Sequence, residues 1–110
     1  MSKKEKYNEY EVTYLISKVS EMVNMHPQTI RYYEEIGLVK PERTKGNVRI
    51  YTRYDIETLN QISTYTNMGV NLAGVEIIFK LLDQVEQMKK DIEEYRKHFA
   101  IQLKKDIEEF

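Results

Sequence analysis

The chain contains no cysteine, no tryptophan and only two histidines among its 110 residues. Without cysteine it can form neither disulfides nor thiolate metal sites. His26 and His98 belong to different predicted elements, and no glycine-rich phosphate loop, serine elbow or metal-spaced cluster accompanies them. Adjacent carboxylates such as Glu34 and Glu35 diverge on a helix, which is poor geometry for shared acid–base catalysis. The sequence therefore predicts a protein that is not an enzyme and that has no cofactor.

Long apolar runs are also missing from the chain. Residues 1–13 are polar and hold no seven-residue apolar core, so they predict a disordered arm and neither a signal peptide nor a membrane segment. The chain carries 17 basic and 18 acidic residues, and 41% of its residues are hydrophobic. This composition suffices for one modest core with a short appendage. We therefore expect one domain in a cytoplasmic protein.

The clearest local pattern is a short helix that begins at Pro27 and ends before Gly37. Proline suits the first helical turn, where its missing N–H has no partner, and glycine supplies the left-handed stop. Upstream, Ser17 is predicted to cap another short helix, which carries Val19 and Val23 at helical spacing. Two short helices joined by a turn of three or four residues form the helix-turn-helix pattern, whose second helix enters a DNA groove.

The second predicted helix has two faces of different chemistry. Winding at about 100° per residue places four residues on a broad inner face, Pro27, Ile30, Tyr33 and Ile36. The opposite face suits a DNA major groove, because arginine and glutamine pair with base edges and tyrosine reaches phosphates or thymine methyls. The residues of this opposite face are Gln28, Arg31, Tyr32 and Glu35. Taken alone, the pattern also fits an ordinary solvated helix.

A basic hairpin is predicted after this helix. Gly46 and Asn47 mark a turn between two short extended segments, in which Ile50 and Tyr51 face opposite sides. Between residues 26 and 53, six basic side chains occur with three acidic ones, although the whole chain has a net charge of −1. Positive charge therefore concentrates beside the predicted groove-binding helix, which favours phosphate binding over a merely solvated surface.

Two more helices are predicted to complete the core. Thr52 and Asp55 form a capping pair for a helix that ends near Gly69, and Asn71 can cap the next helix. Both helices repeat apolar residues at helical spacing along their inner faces. These inner residues are Ile56, Leu59, Ile62, Val75, Ile78, Phe79 and Leu82.

From Val85 onward, apolar residues alternate at spacings of three and four, which is the heptad rule of a coiled coil. The rule slips near the end, where Gln102 occupies the strict heptad register. A helix over residues 81–110 would be about 45 Å long and could not bury its stripe on so small a domain. We predict a dimerisation helix, with a helix folded back on its own domain as the alternative. The predicted dimerisation residues are Val85, Met88, Ile92, Tyr95, Phe99 and Leu103.

The run RYYEEIGLVKPERTKGNVRIYT, residues 31–52, resembles the winged-helix signature of the MerR family of bacterial transcription regulators. The resemblance extends over residues 14–82 and implies a dimerisation coiled coil at 83–110. Within the family, MHPQT at 25–29 and GVNLAGV at 69–75 most resemble the heat-shock repressors that control chaperone genes. The nitrogen-metabolism regulators of the family share RYYEE, the Gly46-Asn47 wing and GVN at 69–71, and they are the alternative.

The resemblance implies a mainly α protein, with a winged helix-turn-helix domain and a long C-terminal helix. Such a protein binds double-stranded DNA as a homodimer at an inverted-repeat operator. It would repress chaperone or protease genes, and we expect no ligand-sensing domain and no cysteine-based sensing. Control would then come from a partner protein, for which the resemblance implies a DnaK-type chaperone as co-repressor, from temperature-dependent folding, or from something bound by the core. A regulator that distorts promoter DNA to activate it, and an adaptor that binds only proteins, are further alternatives. The predicted DNA contacts are Ser17, His26, Gln28, Thr29, Arg31, Tyr32, Tyr33, Arg43, Lys45, Asn47, Arg49 and Tyr51.

Overall fold

A computed structural model describes residues 11–109, and this part of the chain is mainly helical, as the sequence predicts. Residues 1–10 of the predicted arm at 1–13 lie outside the described residues. Four helices and one two-stranded sheet follow each other along the chain. In order, they are α1 (Ile16–Val23), α2 (Pro27–Glu35), β1 (Glu42–Arg43), β2 (Arg49–Ile50), α3 (Arg53–Asn67) and α4 (Leu72–Glu108).

Helices α1 and α2 form the predicted helix-turn-helix. Asn24 ends α1 in the left-handed conformation, with φ of +54°, as its short polar side chain tolerates. The predicted Ser17 cap is wrong, because α1 begins two residues earlier than such a cap requires and Leu15 occupies the N-cap position without a side-chain hydrogen bond. The next helix, α2, does have a side-chain cap. It is His26, whose Nδ1 accepts a hydrogen bond of 3.1 Å from the backbone N–H of Gln28.

The wing forms as the sequence predicts. Strands β1 and β2 pair antiparallel, and their turn closes through a 2.9 Å hydrogen bond from the backbone N–H of Asn47 to the carbonyl of Thr44. Asn47 takes a φ of +64° at this turn. A further segment joins beyond β2, where Tyr14 and Tyr51 exchange two backbone hydrogen bonds of 2.9 and 2.8 Å. This bridge fastens the N-terminal segment to the base of the wing.

The core lies among α1, α2, α3, the base of the wing and the first turns of α4. The capping box of α3 is confirmed: the backbone N–H of Thr52 donates to Asp55 Oδ2 at 2.9 Å, and both residues are buried. The cap of α4 is confirmed as well, because Asn71 Oδ1 accepts from the backbone N–H of Gly74 at 2.8 Å. The side chains with no exposed surface are Val19, Ile30, Tyr51, Leu59, Ile62 and Val75.

The last helix is longer than predicted. Helix α4 is one continuous element of 37 residues, so the predicted fourth core helix and the predicted dimerisation helix are the same helix. The reason is local, since no glycine or proline occurs between Val75 and Glu108 to interrupt it. By its internal contacts the chain divides between Ile77 and Ile78, five residues before the predicted boundary at 82–83. Within the described residues, no helix has the length and apolar composition needed to cross a bilayer.

The residues predicted to form the dimer are exposed along α4 in the single chain. Ile92 is 58% exposed, Tyr95 76% and Phe99 70%. We call the predicted dimerisation residues the heptad stripe. All six are exposed, and they are Val85, Met88, Ile92, Tyr95, Phe99 and Leu103.

Candidate nucleic-acid interface

Helix α2 presents a polar outer face to solvent. Ile30 is fully buried on the inner face, and the outer residues Gln28, Arg31, Tyr32 and Glu35 are all exposed. The outer face therefore follows the predicted one, but Ile36, predicted on the inner face, is 39% exposed at the C-cap of α2. Arg31 Nη1 donates to Gln28 Oε1 at 3.1 Å, which presents the guanidinium and the amide side by side. An exposed Arg–Gln pair of this kind offers both hydrogen-bond donors and acceptors to base edges in a major groove.

Two adjacent tyrosines have different surroundings on α2. Tyr32 is 49% exposed, whereas Tyr33 is half-buried against the domain. Their ring centroids lie 6.2 Å apart, with the ring planes tilted by 48°. Burial raises the pKa of the Tyr33 hydroxyl, with a smaller contribution from Tyr32. Its half-buried position suits Tyr33 to bracing the helix against the domain, and Tyr32 keeps an exposed ring for a partner.

A carboxylate joins the recognition helix to the wing. Glu34 Oε1 lies 3.1 Å from Arg43 Nη2, and Glu34 Oε2 accepts a hydrogen bond from Arg49 Nε. We call these three residues the Glu34 cluster. Sequence reasoning missed it, because Glu34 is separated from its partners by nine and 15 positions and belongs to a different element. The one sequence feature that could have indicated the cluster is a glutamate on the helix that precedes a basic hairpin.

Within the part of the chain that the structure describes, the Glu34 cluster leaves both wing arginines with unused donors. An arginine has five N–H groups, and Arg49 contacts Glu34 through Nε. Arg43 uses Nη2 on Glu34, and its Nη1 donates to the backbone carbonyl of Asn47 at 3.3 Å. Lys45 is exposed in the turn of the wing. The wing is thus a basic surface whose two arginines are oriented from α2, and its contacts with DNA stay predictions.

Tyr51 does not belong to this surface. Its side chain is fully buried, which contradicts the predicted DNA contact. Buried and exposed side chains were expected to alternate through β2 and into Tyr51, but Ile50 and Tyr51 are both buried. The backbone of Tyr51, just beyond β2, pairs with Tyr14. Within the described residues its hydroxyl has no hydrogen-bond partner. Burial, together with the nearby Glu34 carboxylate, raises the pKa of Tyr51 to about 12.

The remaining predicted contacts lie near the starts of α1 and α2. Ser17 lies in the first turn of α1 and is exposed, as is His26 at the cap of α2. Thr29 is half-buried, and its backbone N–H closes the first turn of α2 on the carbonyl of His26 at 2.9 Å. Their contacts with DNA also stay predictions.

Tyr51 gives the fold an alkaline sensitivity that can be measured. Its folded pKa of about 12 lies above the ordinary value of 10.0. Its contribution to stability is therefore fully present below about pH 10 and is lost as the pH rises through the folded value. Between about pH 9 and 12, we expect the free energy of unfolding to fall by roughly 2 kcal/mol more in the wild type than in Tyr51→Phe.

Urea unfolding at a series of pH values measures this difference. Tyr32→Phe is the matched control, because that ring is 49% exposed and its loss should leave the wild-type pH dependence intact. Equal alkaline destabilisation of the wild type and Tyr51→Phe would contradict the burial of the Tyr51 hydroxyl.

Comparisons with known proteins give one family and several relatives. The family described as MerR HTH family regulatory protein matches residues 14–82. The chain is similar to a putative heat shock protein, HspR, of Streptomyces coelicolor, with 41% identity over 87 residues. It is also similar to the HTH-type transcriptional regulator GlnR of Bacillus anthracis, with 32% identity over 90 residues that form 82% of this chain and 70% of that protein.

A solved structure has the same fold. A MerR family transcriptional regulator from Bacillus cereus matches with a TM-score of 0.60 and 26% identity, over 84% of this chain and 75% of that one. The aligned region of HspR covers 74% of this chain, but it spans only 58% of the length of that relative.

Proposed function

Because this chain belongs to the MerR HTH family of regulatory proteins, we propose that it represses transcription as a homodimer bound to an inverted-repeat operator. The observation that carries the proposal is the outer face of α2, where Arg31 and Gln28 are exposed side by side. Such a face, on the second helix of a helix-turn-helix, is what major-groove recognition requires. The protein would act in the cytoplasm, at the nucleoid.

Recognition divides between the helix and the wing. Gln28, Arg31 and Tyr32 would reach base edges or nearby phosphates from within the major groove. Lys45 and the unused donors of Arg43 and Arg49 would bind flanking phosphates. Phosphate contacts supply most of the affinity and base contacts supply the sequence preference. The two surfaces therefore have separate roles in one interface.

The heptad stripe supplies the dimer. Its side chains are exposed in the single chain, and heptad spacing is the pattern by which helices pair. A two-fold dimer would present two copies of α2, and an inverted repeat has the same two-fold symmetry. Tethering two half-site contacts raises the affinity of the pair well above that of either half.

The target genes that we propose are those of heat-shock chaperones and proteases. The 41% identity with HspR exceeds the 32% identity with GlnR, and the segments at 25–29 and 69–75 carry the resemblance to heat-shock repressors. A DnaK-type chaperone is the proposed co-repressor, so unfolded proteins that occupy the chaperone would release the genes. Nitrogen control is the second candidate, because the GlnR alignment covers 82% of this chain.

Thermodynamic linkage distinguishes the two candidates. A chaperone that prefers the DNA-bound dimer must raise operator affinity, and operator DNA must raise chaperone affinity by the same factor. We expect a factor of about 5 to 150, which is the usual range of coupling between two sites. Fluorescence anisotropy of labelled operator, with and without purified chaperone, measures it.

The same titration is repeated with purified glutamine synthetase in place of the chaperone, because this enzyme of nitrogen assimilation is the partner that we would expect under nitrogen control. Enhancement by glutamine synthetase alone, together with bound sites at nitrogen-assimilation genes, would replace the heat-shock assignment with nitrogen control. The winged-helix dimer would stand in either case, because both branches use it.

A further inference from the structure

The Glu34 cluster connects two surfaces that are proposed to contact the same DNA. Glu34 belongs to α2, whereas Arg43 and Arg49 belong to opposite strands of the wing and face each other in its register. One carboxylate oxygen contacts each arginine. The Glu34 side chain is only 19% exposed, while the arginines are 37% and 31% exposed. The carboxylate is thus the more enclosed member, with the guanidinium groups at its outer side.

This contact matters because the wing is small. Each of its strands has two residues, and a two-stranded hairpin is marginally stable by itself. Its backbone is fastened at the base by the bridge between Tyr14 and Tyr51. Beyond that base, the carboxylate of Glu34 holds the side chains of both strands against α2. The direction of the guanidinium groups is therefore set by the recognition helix.

The same contact opposes indiscriminate DNA binding. Carboxylate and phosphate are the two anions that an arginine fork binds best, so they compete for the same N–H groups. A phosphate that approaches Arg43 or Arg49 from an arbitrary direction meets a guanidinium that is already paired and a negative charge behind it. A phosphate that lies where the unused donors point meets no such competition. Because the guanidinium groups are oriented from α2, the second arrangement is the one expected when α2 is seated in its groove.

We propose that Glu34 is a specificity-determining positioning residue that restrains Arg43 and Arg49 until the recognition helix is seated on its operator. The inference rests on the proposed function, since it concerns the same DNA interface. Its consequence is that Glu34 lowers the affinity for non-operator DNA more than it lowers the affinity for operator. The ratio of the two affinities, and not the affinity itself, is the quantity that Glu34 controls.

Glu34→Gln tests the proposal in the full chain. We expect binding to non-operator duplex to tighten and the operator preference to fall by about tenfold, which is the size of a single lost base discrimination. The released arginines should also make non-operator binding more dependent on salt. With up to two arginines per protomer, the slope of log K against log salt should steepen by roughly two to four, at about 0.9 for each added phosphate contact.

Glu93→Gln is the matched control. Glu93 carries the same charge and also pairs with an arginine, Arg96, at 4.0 Å, but both residues are exposed on α4, outside the Glu34 cluster and the proposed DNA interface. Its removal should leave the ratio of operator to non-operator affinity unchanged, because only the net charge of the chain changes. If Glu34→Gln behaves like Glu93→Gln, with an unchanged preference, the proposal is overturned.

Circular dichroism shows whether Glu34→Gln folds. If it does not, a second variant tests the proposal. Glu34→Asp keeps the charge but draws the carboxylate back by one methylene, so it cannot span both arginines. We expect its operator preference to fall below that of the wild type, and a wild-type preference would overturn the proposal. A wild type without operator preference would instead remove the proposed function, and the inference with it.

Discussion

Replacing Ile92 with aspartate is expected to turn the proposed dimer into a monomer and to weaken operator binding by roughly 10²- to 10⁴-fold. Ile92 lies in the middle of the heptad stripe and is 58% exposed in the single chain. In a coiled coil it would be buried between two helices, where an unpaired carboxylate costs several kcal/mol. Dissociation avoids that cost, and the two half-site contacts then become independent.

Ile101→Asp is the matched control for this change. Ile101 is 55% exposed, and its position nine residues after Ile92 places it on the opposite side of α4. It should stay dimeric and bind operator normally. Sedimentation equilibrium at micromolar concentration checks both variants. A monomeric wild type, or a dimeric Ile92→Asp, would refute the assignment of the heptad stripe to the dimer interface.

Removal of the Arg31 side chain has the second-largest expected effect. Arg31→Ala should cost about 1–3 kcal/mol for each lost base contact, and the proposed dimer would place two copies of the residue on the operator. The fold should be unaffected, because Arg31 is exposed and its hydrogen bond to Gln28 is local. The sequence preference at the contacted base pair should relax together with the affinity.

The control for Arg31→Ala is Arg96→Ala, which deletes an exposed arginine of α4 outside the proposed interface. It should leave operator binding close to that of the wild type. Anisotropy titrations with operator and with single-base variants measure both proteins, with circular dichroism as the test of folding. A folded Arg31→Ala that binds operator with wild-type affinity would contradict the recognition-helix assignment.

The parts of the fold that the sequence predicts well are set by neighbouring residues. Pro27 and Gly37 mark the ends of the recognition helix, and Thr52 with Asp55 marks the start of α3, because helix ends depend on side chains within one turn. The turn of the wing follows from Asn47 in the same way, since few residues tolerate its positive φ. These signals require no knowledge of tertiary structure.

The features that the sequence does not predict depend on residues far apart in the chain. Tyr51 was expected on the exposed side of its strand, but the backbone bridge to Tyr14 brings it into the core. The Glu34 cluster joins residues of a helix and two strands, so no local spacing indicates it. Ser17 lies within α1 because the helix begins without a side-chain cap, and propensity alone does not give that start.

Selection of binding sites from a random duplex pool by the 110-residue chain tests the central proposal most directly. We expect enrichment of an inverted repeat, with half-sites centred a whole number of helical turns apart, at about 10 bp per turn. Two symmetric half-sites would indicate two copies of α2 on one duplex. A selected pool that is no different in sequence from the starting pool would contradict the proposal that this protein is a sequence-specific DNA-binding regulator.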